Sequence, residues 1–161
     1  MKDIEKNKLK IIGFTAVAIV LLDQILKNIV AKNMHLHESI PLIKNIFHIT
    51  YIHNTGSAFG MMQNATIFLI WLSIIVIGII MFLYDKIPEN KCYQLSVAAI
   101  LAGVFGNLID RINLGYVIDF IDFRIWPAFN IADAAICIGA VFLIIQIIKK
   151  DISDKKYKKK R

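Results

Sequence analysis

Two aspartates, Asp119 and Asp133, are the residues of this sequence best placed for chemistry. Asp133 closes the run Phe129-Asn130-Ile131-Ala132-Asp133, which leads straight into Ala134–Ile148, fifteen residues without a charge. A charge placed in hydrocarbon costs several kcal/mol, so acids kept at membrane depth are usually functional. Two carboxylates able to approach each other do not both ionise easily. They share a proton, and a shared proton is the starting point of acid–base catalysis. Bland readings stand beside this one. Asp133 is also the kind of acid that a helix N-terminus favours, and Asn130 is a good cap. Asp119 also reads as a solvated loop acid, with Asp122 a near competitor. The residues alone leave both readings open.

The elements that must position these acids are apolar. The chain has 161 residues, 57% of them hydrophobic, and a mean hydropathy of +0.61. That is too apolar for an ordinary soluble domain and long enough for one domain. We read residues 1–161 as a single integral membrane domain with spans at about 9–30, 66–84, 93–109 and 129–148, each near the roughly 20 residues that cross a bilayer. The first could pass for a secretory signal, but it is long and no small-residue cleavage site follows it. The expected fold class is an all-α membrane protein of four transmembrane helices. Between the first and second, Ile46–Asn54 alternates and is rich in β-branched and aromatic residues, so a small extracytoplasmic β platform is expected there. Asn54-Thr55-Gly56-Ser57 reads as a turn in which Gly56 permits a tight bend or a close approach.

The net charge of +7 sits at the two ends and in one short loop, with no basic stripe interleaved with aromatics, which excludes a nucleic-acid partner. Lysine placement sets the expected topology. The first ten residues, the 85–92 loop and the tail from Lys149 onward hold most of the cations, so both termini are expected in the cytoplasm, with 31–65 and 110–128 outside. The basic tail is also attracted to anionic lipid. Cys92 and Cys137 read as packing residues without a disulfide. His35, His37, His48 and His53 lack the spacing and partners of a metal site, so no metal and no cofactor are expected.

Polar residues converge at one depth. At 1.5 Å per residue, Asp23 lies about 20 Å above Lys10, Asn107 about 21 Å above Tyr93, and Asp133 about 22 Å above Ile148. All three fall in the outer third of the membrane. Asp119 follows on the outer loop, 14 residues before Asp133, a length that closes at modest entropic cost. Asn107 and Arg111 share a helix face, and Asp23 and Lys27 stand one turn apart, either neutralising each other or serving the site. Asp110 and Arg111 read as an interfacial pair. Ala99 with Gly103, and Ala102 with Gly106, are small residues four apart that let helices approach closely.

With these motifs in order, the chain resembles the lipoprotein signal peptidases, also called signal peptidase II. The resemblance rests on Asp23-Gln24 with Lys27, Asn54-Thr55-Gly56-Ser57-Ala58-Phe59-Gly60, Gly106-Asn107-Leu108-Ile109-Asp110-Arg111, Val117-Ile118-Asp119-Phe120 and Phe129-Asn130-Ile131-Ala132-Asp133. It covers essentially the whole chain. It implies an aspartic endopeptidase of the bacterial plasma membrane that cuts a prolipoprotein just before a diacylglyceryl-modified cysteine. Asp119 and Asp133 match the catalytic pair. Asp23, Lys27, Asn54, Gly56, Asn107, Arg111 and Asn130 are expected to bind substrate or support the site. The expected partners are the lipidated precursor and membrane lipids, with no oligomer required. Two rival classes use the same residues differently. A proton-coupled transporter would use the acids as carriers, but four spans without an internal repeat suit alternating access poorly. An assembly protein would use the polar residues to fasten helices.

Overall fold

The computed structural model describes residues 2–56 and 65–158, and Ser57–Gly60 of the second motif lie outside that range. The chain order is α1 (Lys2–Asn33), β1 (Ser39–Ile43), β2 (Phe47–Asn54), α2 (Thr66–Phe82), a 3-10 turn at Tyr84–Lys86, α3 (Lys91–Leu114), β3 (Val117–Asp122) and α4 (Ile131–Lys158). Local chemistry sets the ends of α3. Asn90 caps its start, its side chain accepting from the amides of Cys92 and Tyr93, and Gly115 ends it at φ 82°. That left-handed conformation is one a glycine adopts without strain.

Side-chain contacts fix the helix directions. Lys8, near the start of α1, donates to the carbonyls of Tyr84 and Ile87, just before α3 begins. Gln24, late in α1, reaches Gly106 and Asp110, late in α3. The two helices therefore run the same way. Thr66, opening α2, donates to the carbonyl of Gly115 beyond the end of α3, so α2 runs antiparallel to α3. α4 also runs back, from Ala132 beside Asp23 to Gln146 beside Cys92.

α1, α3 and α4 are long and apolar enough to cross a membrane. The expected second span is shorter than the sequence suggested. α2 has 17 residues, about 26 Å at helical rise, because the chain tightens into the 3-10 turn at Tyr84 rather than continuing. The third span is longer than expected and reaches Leu114, which puts Asp110 and Arg111 on the helix rather than at its edge. The fourth begins at Ile131, not Phe129.

The expected β platform is present and larger than the segment between the first two helices. It is a three-stranded antiparallel sheet in the order β1-β2-β3, so it is not built only from the segment between the first two helices. Residues 117–122, expected as outer loop, form its third strand. Ile52 pairs with Asp119 and Asn54 with Val117 across β2 and β3. Phe129 then bridges to Ile121, its N–H and C=O both engaged at 3.0 and 2.8 Å, which turns the chain back from β3 into α4. Val30, Met34, Tyr51, Ile118 and Phe120 form a small core between the end of α1 and the sheet. The small residues of α3 do what their spacing predicts. A Cβ on Gly103 would collide with the Ala132 carbonyl, and one on Gly106 would lie 2.8 Å from an Asp23 oxygen. α4 and α1 both approach there.

Candidate active site

Asp119 enters the site from β3 and Asp133 from the first turn of α4. Asp119 is 2% exposed. Its two oxygens accept from two asparagines: Asn54 Nδ2 to Oδ2 at 2.9 Å and Asn130 Nδ2 to Oδ1 at 2.8 Å. Asn54 stands where β2 ends, so strand pairing delivers it beside Asp119. Asp133 Oδ1 accepts from Asn107 Nδ2 at 2.7 Å, and its Oδ2 from the Asn130 amide at 3.3 Å. The Asp133 amide donates in return to Asn130 Oδ1 at 2.9 Å. This reciprocal exchange is a capping box, so the bland reading of Asn130 as a cap and of Asp133 as a helix-start acid is also true. The two readings coincide because Asn130 caps α4 with its oxygen and holds Asp119 with its nitrogen.

Asn130 is the hub. It is fully buried, and its Nδ2 lies near Asp119 Oδ1, Asn107 Oδ1 and the Ile118 carbonyl at 2.8, 3.1 and 3.3 Å. Two hydrogens face three acceptors, and the acid is the nearest of them. Burial pushes the Asp119 carboxyl up to about 7, and Asp133 adds to the rise; Asn54, Asn130 and Lys27 oppose it without cancelling it. Neutral amides stabilise the charged form less than a cation would. Asp119 therefore holds its proton far above the ordinary carboxylate range.

The other expected residues gather here, with different duties. Lys27 Nζ donates to Asp23 at 2.8 Å, Asp110 at 2.9 Å and Asn107 Oδ1 at 3.1 Å. Its three hydrogens are thus all engaged within the protein. The expected Asp110–Arg111 pair does not form, because neighbours on a helix point apart and Asp110 turns to Lys27. Arg111 instead donates to the Gly56 carbonyl at 3.2 Å and the Asn107 carbonyl at 3.4 Å. Its Nε is buried without a partner among the described residues. The Gly56 amide donates to Asn54 Oδ1 at 2.9 Å.

Asp122 stays apart, accepting from Thr50 and from Arg124, and those bonds hold it below the ordinary carboxylate value despite partial burial. His53 bonds to the Tyr51 hydroxyl and stacks on Tyr116. His48 bonds to Ser39.

A cavity of about 590 Å³ joins these groups. Asn54, Asn107, Arg111, Asp119 and Asp133 form its polar end, and Leu69, Leu72 and Val76 of α2 with Ile136 and Ile138 of α4 form an apolar wall. Cys137, read as a packing residue, lines that wall and is exposed. It lies four residues after Asp133, on the same helix face, a spacing that could have revealed it.

Fold and site together define a polytopic membrane protein with a pair of acids, one buried and one half-buried, at one end of its helix bundle. The family profile for signal peptidase (SPase) II matches residues 15–149. The lipoprotein signal peptidase of Halothermothrix orenii is 43% identical over 133 residues, which cover 83% of this chain and 92% of that protein. That of Caldanaerobacter subterraneus subsp. tengcongensis is 48% identical over 126 residues, 78% of this chain and 87% of that one. A solved bacterial membrane enzyme superposes with a TM-score of 0.84 at 34% identity, covering 89% of this chain and 90% of its own. The chain belongs to the signal peptidase II family, proteases that remove signal peptides from prolipoproteins.

Proposed function

We propose that Asp119 and Asp133 are the catalytic pair of an aspartic endopeptidase that cuts lipidated prolipoproteins just before the modified cysteine. The observation that carries this is the single residue Asn130, which contacts both acids at the polar end of a cavity whose wall is apolar. The pair works with one proton. The ionised member takes a proton from a water, the water attacks the scissile carbonyl, and the protonated member donates to the carbonyl oxygen. A later proton transfer releases the amine. Arg111 lines the cavity beside the acids, which supports a part in holding a substrate carbonyl. The apolar wall between α2 and α4 suits the substrate's signal segment, and the substrate's own lipid would hold the peptide at fixed depth and so supply proximity.

The lysines at the starts of α1 and α3 and from Lys149 to the C-terminus support a cytoplasmic location for both termini. The sheet and the acids, at the other end of the bundle, then lie toward the outer face of the bacterial plasma membrane. Membrane lipids surround the helices, and the site is complete within one chain.

The test is cleavage of a lipidated precursor peptide by purified enzyme carrying Asp119→Asn or Asp133→Asn. Each should abolish turnover while the protein still inserts. Activity retained by either variant would remove the pair from the mechanism.

A further inference from the structure

The pair of acids needs a fixed separation, and a second group of charges is built to set it. Asp23, Lys27 and Asp110 are 0, 2 and 3% exposed. Lys27 sits between the two carboxylates, and each carboxylate reaches onward to one backbone amide. Asp23 Oδ1 accepts from the Ala132 amide at 2.9 Å. Asp110 Oδ2 accepts from the Ile118 amide at 3.2 Å. Ala132 immediately precedes Asp133, and Ile118 immediately precedes Asp119. Each arm of the triad therefore holds the residue next to one acid of the pair, one on a helix and one on a strand.

We infer that the Asp23–Lys27–Asp110 triad sets the separation of Asp119 and Asp133, with Asp110 as a positioning residue for the reaction. The inference rests on those two acids being the catalytic pair. Lys27 adds a third link through Asn107, which donates to Asp133. Gln24 fills the remaining Asp110 oxygen at 2.8 Å. Both arms require ions. A neutral amide at 110 would offer one acceptor oxygen to three donors, Lys27, Gln24 and the Ile118 amide. None of the triad lines the cavity that holds the pair. The triad therefore acts on the geometry of the acids and leaves substrate binding alone.

The experiment uses full-length enzyme in detergent, a lipidated precursor peptide, and the variants Asp110→Asn and Gln24→Ala, with kcat and KM measured across pH. Misplacing a catalytic group by about 1 Å costs on the order of 100-fold. Asp110→Asn should lower kcat by about 10- to 100-fold and leave KM within about twofold. The two limbs of its pH profile should move closer together, because their spacing reports how strongly the two acids interact. Gln24→Ala removes one donor without changing any charge, and should shift both readouts the same way by less. A folded Asp110→Asn enzyme with wild-type kcat and limb spacing overturns the inference. A raised KM with unchanged kcat also overturns it, since that places Asp110 at the substrate. If Asp110→Asn does not fold, Gln24→Ala decides on the same two readouts, and unchanged limb spacing overturns the proposal. Asp119→Asn separates the two levels. Full activity there removes the catalytic pair itself, whereas an inactive Asp119→Asn beside an unaltered Asp110→Asn overturns the positioning role alone.

Discussion

Two buried clusters of charge lie side by side, and they are built on opposite terms. Around Lys27 a cation stands between two carboxylates, and every hydrogen of its ammonium group has an acceptor. Around Asn130 two carboxylates take their hydrogen bonds from amides, with the cations Lys27 and Arg111 nearby but not bonded to them, and burial with mutual repulsion lifts Asp119 to about 7. Asp23, Lys27, Asp110, Asp119 and Asn130 are all buried, and Asp133 is half-buried. The difference is charge matching, and it assigns the roles. A matched buried cluster holds shape, whereas an unmatched pair keeps a proton that it can give and take.

The comparison breaks first if the wrong acids prove essential. Asp119→Asn and Asp133→Asn should each lower cleavage by about four orders of magnitude or more, since a catalytic pair acts as a unit. Asp122→Asn, whose carboxylate serves Thr50 and Arg124 and touches neither acid of the pair, should stay within about threefold of wild type in turnover, with any loss falling on stability. A peptide cleavage assay run on all three variants decides this.

Stability should respond with opposite signs in the two clusters. Lys27→Met strands Asp23 and Asp110 as facing anions, and breaking a buried ion pair in this way costs about 3 to 5 kcal/mol. Asp119→Asn should do the reverse. The folded state binds the Asp119 proton more tightly than the unfolded chain does, up to about 7 against 3.8, so wild type loses stability as pH rises between those values. An asparagine loses nothing there. The gain in melting temperature of Asp119→Asn over wild type should therefore be small near pH 4 and reach its full size above pH 7. A gain that shrinks with rising pH would mean that Asp119 is matched after all.

Much of the site was legible because membrane depth makes polar residues conspicuous. Asp23, Asn107 and Asp133 stand out on apolar helices, and counting helical rise puts them at one level. What stayed hidden depends on contacts between distant segments. Asp110 and Lys27 are 83 residues apart, and nothing local says that Asp110 ignores its neighbour Arg111. β3 was hidden for another reason. Five of its six residues are buried, so neither the alternation of a half-wet strand nor a continuous apolar run appears, and two acids interrupt Val117–Asp122. Gly56 bends as its sequence suggests, but nothing local shows that its amide serves Asn54 and its carbonyl Arg111.

Cys137 offers a milder probe of the cavity. A thiol reagent should slow cleavage several-fold by filling the wall beside Asp133, although no thiol takes part in the reaction. Cys137→Ala should keep near wild-type turnover and lose the sensitivity. Inhibition that persists in Cys137→Ala would place the blocking site elsewhere, Cys92 being the other cysteine.

The pH dependence of kcat/KM for wild-type enzyme tests most directly whether the unmatched pair works with one shared proton. The rate should fall on the acid side, where both acids are protonated, and fall again on the alkaline side as the proton held by Asp119 near 7 is lost. The profile should be a bell with its alkaline limb close to neutrality, unchanged by chelators. A rate that keeps rising with pH and never turns down, or one that chelation abolishes and a divalent ion restores, would contradict the paired-acid account.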